Sequence, residues 1–261
     1  MLECLMILFR HRVILLATTV NEIKARYKGT VLGLAWMVLY PILFLLLYSV
    51  IYLFVFKVRL PAYTPFEYVL LIFAGLVPFL GFAEALGNGV GSVTANSGLV
   101  KNTMFPIELI PVKAVLTASL TMIVGIMILL IVLWCRGLFF TTQFLVPVIF
   151  LMQIIFTIGL IWILSALNVF MRDLSTMVGV VTLFLMLISP IAYTNEMIPE
   201  KLMTLMYANP LYYLITMYRE AMIYGLFSRD LFITFALISF LTYCTGFFLF
   251  KRLKVVFADY V

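Results

Sequence analysis

Apolar residues fill six long stretches of the chain, at 31–56, 66–86, 111–134, 144–170, 176–193 and 231–250, and most charged residues gather between them. Each stretch is predicted to be a membrane-crossing helix, because about 20 apolar residues rising 1.5 Å apiece cover a hydrocarbon core of roughly 30 Å. Barrel strands would be shorter and would alternate, whereas these runs are continuously apolar. Backbone groups in lipid must also be paired within the segment, which favours helices.

Ahead of the first stretch the period changes. Val13, Leu16, Ala17, Val20, Ile23 and Tyr27 recur at three- and four-residue steps, while Arg12, Thr19, Glu22 and Arg26 take another face. This predicts an amphipathic helix along the inner membrane surface, stopped by Arg26 and Lys28 and turned inward at Gly29. A basic flank that only orients the first span is the alternative. No signal peptide is expected, since Arg10-His11-Arg12 follows the initial apolar run without a small-residue cleavage pattern.

Residues 202–227 are apolar but broken. Asn209-Pro210 interrupts them and Arg219-Glu220 charges the remainder, leaving two pieces too short to cross. The fold class expected is therefore all-α integral membrane, with six transmembrane helices, an N-terminal amphipathic interface helix and an outer re-entrant helical hairpin between spans five and six. Residues 1–30 form the cytoplasmic interface segment and 31–261 the transmembrane domain. Six spans leave both termini cytoplasmic and gather Arg10, Arg12, Lys24, Arg26, Lys28, Lys101, Lys113, Arg172, Lys251, Arg252 and Lys254 inside, as the positive-inside rule requires.

Composition narrows the function. With 66% hydrophobic and 11% charged residues the chain departs from any soluble class. The net charge of +6 is read as orientation signals between spans, and no nucleic-acid partner is expected. Cys4, Cys135 and Cys244 are scattered and His11 stands alone, so neither a disulfide framework nor a metal site is expected. Gly87-Asn88-Gly89-Val90-Gly91-Ser92 follows a membrane helix and lacks the Lys-Ser/Thr ending of a P-loop; helix packing through Gly87 and Gly91 is the closer reading. Any ATP must then be bound by another polypeptide. Glu84 near the inner end of its span is either a packing residue or part of an inner gate, and with only Glu67 at an outer edge beside it the carboxylates are too few for a secondary transporter. A lipid-modifying enzyme would need a carboxylate pair, a metal set or a His-based nucleophile.

One pattern has a carbohydrate rationale. Trp36, Tyr40, Phe44, Tyr48, Tyr52 and Phe56 recur every fourth residue. Each step drifts by about 40°, so three neighbours share a face and six do not. Aromatic faces stack on sugar C–H surfaces and Tyr hydroxyls bond sugar hydroxyls, which makes Tyr40, Phe44 and Tyr48 the candidate substrate path. Interfacial belts at both ends with ordinary packing between them are the alternative.

Arg26-Tyr27-Lys28-Gly29-Thr30 with Leu32-Gly33, Trp36 and Pro41 resembles the start of the first span in ABC-2 type polysaccharide export permeases. Asn96, Leu99, Lys101, Phe105-Pro106 and Leu109 are similar to that family's inner loop, and Phe170 with Arg172-Asp173 to its fourth-to-fifth connection. Ser189-Pro190, Tyr193, Glu196, Pro199, Asn209-Pro210, Tyr218-Arg219 and Gly225 follow its outer re-entrant segment, so that the likeness covers nearly the whole chain in order. It is strongest to the Wzm-type permeases for lipid-linked O-antigen, with capsular-polysaccharide and teichoic-acid permeases close behind. The resemblance implies a homodimer in the bacterial inner membrane, joined to two nucleotide-binding ATPase subunits that bind ATP and Mg. It also implies export of an undecaprenyl-diphosphate-linked polysaccharide. The chain itself is then no enzyme and carries no cofactor. On this footing the inner segment 98–111, with Lys101, Phe105, Pro106 and Glu108, is expected to dock on the ATPase. Arg172 and Asp173 are a second inner contact or a helix-end ion pair. Asn209, Pro210, Arg219 and Glu220 are expected at an outer gate.

Overall fold

The computed structural model describes residues 6, 9–51, 64–101, 106–194 and 197–260, and every regular element among them is helical. α1 (Arg12–Tyr27) precedes a 3-10 turn (Gly33–Ala35) and α2 (Trp36–Val50). α3 (Pro65–Gly89) leads through the short α4 (Ser92–Ala95) and α5 (Ser97–Val100) to α6 (Leu109–Cys135). A 3-10 turn (Thr141–Leu145) opens α7 (Val146–Phe170), followed by α8 (Asp173–Ile188), α9 (Glu200–Tyr207) and α10 (Pro210–Arg219), which runs into a π turn (Glu220–Tyr224). α11 (Arg229–Leu253), a 3-10 turn (Lys254–Val256) and α12 (Phe257–Tyr260) complete the order.

Five helices among the described residues are long and apolar enough to cross a membrane: Gly33–Val50, Pro65–Gly89, Leu109–Cys135, Thr141–Phe170 and Arg229–Val256. They fall on five of the six stretches expected from the sequence. The remaining stretch, 176–193, differs. Its helix, α8, has 16 residues, about 24 Å by helical rise against a core of roughly 30 Å. The cause is Pro190: its ring disfavours helical geometry in the residue before it, and Ser189 is extended at ψ 145°.

Local chemistry sets other boundaries. Thr64 and Glu67 form a reciprocal capping box ahead of Pro65, so α3 begins there. Asn209 caps α10 by accepting from the Leu211 amide at 3.0 Å, and Pro210 holds the first helical position without needing a donor. Thus the apolar run 202–227 is two helices, α9 and α10, with the break at Asn209-Pro210.

α3 is the centre of the bundle and is buried along most of its length. α6 and α10 lie against it, and α7 pairs with α11. The α7–α11 contact is backbone to backbone. A Cβ on Gly246 would stand 2.1 Å from the Gly159 carbonyl oxygen, and one on Gly159 would stand 2.5 Å from that of Thr242. Gly87 and Gly91 do not act in this way: a Cβ on Gly87 would meet nothing within 4 Å, and one on Gly91 only Ser175 at 3.6 Å. Small-residue packing is real in this chain, but it lies at other glycines: backbone to backbone at Gly159 and Gly246, and against side chains at Gly81, Gly89 and Gly125.

α1 is docked by a mixed side, apolar contacts beside ion pairs. Leu15, Thr19 and Ile23 are buried, Glu22 pairs with Lys113 of α6 at 2.7 Å, and Arg26 pairs with Glu84 of α3. Val13, Leu16 and Val20 remain exposed. The docked face mixes the two: Thr19, Glu22 and Arg26 of the polar side and Ile23 of the apolar side meet the protein, while most of the apolar side and Arg12 point away.

Candidate functional site

Three side chains of α2 form a ladder. The Tyr40 and Phe44 ring centroids lie 4.8 Å apart and tilted, and those of Phe44 and Tyr48 lie 6.2 Å apart and stacked. The four-residue spacing therefore places three rings on one face, while Tyr52 and Phe56 lie outside the described residues. Tyr40 and Phe44 line a cavity of about 680 Å³ between α2, α3 and α6, with Trp36, Phe73, Val77 and Thr121 also in its wall. Its lining grades from apolar rings to a polar end made by Arg26, Glu84 and Asn88. Burial works against the Arg26 charge, but the hydrogen bond and Coulombic attraction of Glu84 together outweigh it and hold the guanidinium pKa above its ordinary value. Glu84 is thus an ion-pair partner that ties α3 to α1. Flat rings at this spacing offer weak stacking surfaces in series, each worth about 0.5–1.5 kcal/mol.

The end of the bundle that holds α1, α4, α5 and α12 carries the inner-loop candidates. Lys101 is exposed just after α5, and Pro106 is half-buried. Phe105 lies outside the described residues. Glu108 turns inward: it is 3% exposed, its carboxylate pairs with Lys254, and its carbonyl accepts from the Trp162 indole at 3.1 Å. Arg172 precedes α8 and Asp173 sits in its first turn, where the helix dipole favours a carboxylate. The Arg172 guanidinium reaches the Tyr260 carbonyl at 3.5 Å.

The opposite end holds the broken-helix residues. Asn209 donates to Ser189 Oγ at 3.0 Å, joining the start of α10 to the extended end of α8. Arg219 is buried and donates to three carbonyls, those of Leu71 at 3.2 Å, Tyr193 at 2.9 Å and Ile191 at 2.6 Å. The guanidinium's planar fork suits this multi-point grip. Gly75 leaves room for it, since a Cβ there would stand 2.9 Å from Ile215 and 3.5 Å from Arg219. Glu220 accepts from the Ser228 amide and hydroxyl at 3.0 and 2.7 Å, closing the turn into α11. Gly225 supplies the left-handed residue of that turn, at φ 65°.

A sequence profile of the family described as "ABC-2 type transporter" matches residues 14–223. The chain belongs to that family. The match runs from α1 into the π turn, so that α11 and the C-terminal segment lie beyond it. This ABC-2 chain is 32% identical to an O-antigen export system permease protein RfbA of Klebsiella pneumoniae, over 94% of each chain. It is 30% identical to the RfbA of Myxococcus xanthus over 81% of each, and 27% identical to the polysialic acid transport protein KpsM of Escherichia coli over 82% of each.

Two glutamines in this ABC-2 chain escaped the sequence reading. Gln153 in α7 donates to the Pro78 carbonyl at 2.8 Å and accepts from the Tyr218 hydroxyl at 3.1 Å, joining α7, α3 and α10 within the bundle. Gln143 accepts from the Trp134 indole at 2.7 Å and donates to the Leu138 and Met222 carbonyls at 3.0 and 3.1 Å. An uncharged amide inside an apolar run was the available signal, because such a group in lipid needs partners on a neighbouring helix.

Proposed function

We propose that the chain is the membrane permease of an ATP-driven exporter of an undecaprenyl-diphosphate-linked polysaccharide of O-antigen type. The observation that carries this is the likeness to an O-antigen export permease across 94% of both chains. Capsular polysaccharide is the second reading, supported by the polysialic acid transport relative at lower identity. ATP and Mg are bound by a separate subunit.

The working unit is a homodimer with two ATPase subunits in the bacterial inner membrane, with both termini in the cytoplasm. Among the residues of α2 only Pro41 is buried, and among those of α8 none is. These two uncovered helices are the faces through which two copies would meet, α2 with its Tyr40, Phe44 and Tyr48 rings. α8, with the turn after it, is the remaining one of six spans. Residues 1–30 are an interface segment and 31–261 the transmembrane domain, and the outward apolar face of α1 supports that division. α9 and α10 are an outer re-entrant hairpin, supported by the internal hydrogen bonds of Asn209, Arg219 and Glu220, which such a segment needs at membrane depth. Asn209, Pro210, Arg219 and Glu220 hold this hairpin as an outer gate.

Tyr40, Phe44 and Tyr48 form the substrate path. Weak, repeated stacking lets a polymer step from ring to ring without settling at one of them. ATP-driven movement enters at the inner end, through Lys101, Phe105 and Pro106 with Glu108 as the loop's anchor, and through Arg172 and Asp173.

The test is deletion of this chain with plasmid complementation. The expected result is loss of surface O-antigen and accumulation of lipid-linked polymer inside the cell, both reversed by the plasmid. Unchanged surface glycan overturns the export reading, whereas loss of a capsule with O-antigen intact selects the second reading.

A further inference from the structure

The C-terminal segment folds back under the bundle and touches both the inner loop and the α7–α8 connection. Lys254 pairs with the buried carboxylate of Glu108, at the end of the inner loop. Phe257 is fully buried between Phe250 and Phe170, with ring centroids 5.3 and 6.4 Å away. Tyr260 meets Phe170 edge to face, ring centroids 5.0 Å apart, and offers its carbonyl to Arg172. α12 also packs against α5, just before Lys101. One short segment thereby joins the inner loop, the α7–α8 connection and the end of α11.

What it leaves uncovered is equally specific. Val255 is 78% and Tyr260 56% exposed, and Met171 is exposed as well. Exposed Lys101, Arg172, Lys251 and Arg252 belong to the same end of the bundle, with exposed Asp173 and Asp259 among them. That end therefore offers exposed apolar side chains with basic groups in excess, and its complement is an apolar surface with an acidic excess. A carboxylate out of water is stabilised here by the Lys254 ammonium, and removing either partner of such a pair is costly.

We propose that residues 254–260 are a third element of the ATPase-docking face: Lys254 on Glu108 positions the inner loop, and Val255 and Tyr260 touch the ATPase subunit directly. This rests on the export reading above.

The experiment uses inside-out vesicles holding the full chain with Cys4, Cys135 and Cys244 changed to Ser and Val255→Cys added, with and without the co-expressed ATPase subunit. A water-soluble maleimide is the probe. The expected result is fast labelling of the chain alone and labelling at least tenfold slower in the complex. Equal fast rates overturn the contact, and slow labelling of the chain alone overturns it in favour of a face lying on lipid headgroups. A second measurement needs no labelling. Glu108→Lys and Lys254→Glu are each expected to lower ATPase capture at least tenfold, and the two together to restore it to within about threefold, a rescue expected of a direct pair. Failure of the swap to rescue overturns the latch. If the unaltered chain captures no ATPase, the export reading falls and takes this inference with it; capture by the unaltered chain with insensitive variants defeats this inference alone.

Discussion

At the scale of single residues, the polar groups inside this chain act chiefly as fasteners between helices. Arg219 is the clearest case, because one guanidinium holds a carbonyl of α3 and two carbonyls of the segment after α8. The Leu71 carbonyl belongs to a helix, but those of Ile191 and Tyr193 lie in a turn. Leaving a buried acceptor unsatisfied costs about 1–3 kcal/mol. Arg219→Met is therefore expected to lower the thermal midpoint of the detergent-solubilised chain by at least about 5 °C. Arg219→Lys is expected to fall between, since an ammonium cannot spread over three carbonyls as a planar fork does. Size-exclusion after heating reads both, and a Met variant with an unshifted midpoint would remove Arg219 from this role. The sequence flagged Arg219 and Glu220 by their charge within an apolar stretch; Glu220 finds Ser228 eight residues on, but the partners of Arg219 lie 26 to 148 residues away and carry no local pattern. Glu108 was visible as a member of the inner loop, and its inward turn was not, because Lys254 lies 146 residues away.

At the scale of elements, long uniform helices were legible and exceptions were set by single residues. Five spans follow from length and apolarity alone. α8 ends early because Pro190 acts on the residue before it, a local rule that mean apolarity hides. α1 was legible as a helix but not in its orientation: the two-sided pattern is clear, whereas which side meets protein depends on Lys113 and Glu84 being placed to pair with it. Glycine spacing misled for a related reason, since a motif within one helix does not say whether a second helix is near. Gly246→Ala and Gly159→Ala are expected to force α7 and α11 apart, at about 1–3 kcal/mol for overpacking, and more where backbone cannot move. Gly87→Ala is expected to be neutral or to stabilise by up to about 1 kcal/mol through helix propensity. Protease resistance in membranes ranks the three, and a Gly246→Ala chain as resistant as Gly87→Ala would contradict the close contact.

At the scale of the whole molecule, the question is what covers the two helices that the fold leaves bare. A single copy buries α3 thoroughly and α2 and α8 hardly at all. In lipid, apolar exposure alone demands nothing, so the aromatic ladder matters more than the apolar area. Tyr40, Phe44 and Tyr48 stack on one face of α2 and the first two border a cavity with a polar end. An interfacial belt would use the tyrosine hydroxyls but not the ring stack between them, whereas a glycan path uses both. Replacing all three by Leu keeps apolar bulk and removes stacking and hydroxyl contacts. If they carry the polymer, the lost contacts, about 0.5–1.5 kcal/mol for each ring, should together lower surface glycan about tenfold at matched membrane abundance. ATPase capture and the thermal midpoint should hold, because the ladder contributes little to the buried core. Full export by the triple Leu variant would return the ladder to ordinary packing and leave the path to be sought along α8, whose exposed Phe184 and Leu187 offer no hydroxyl and one ring.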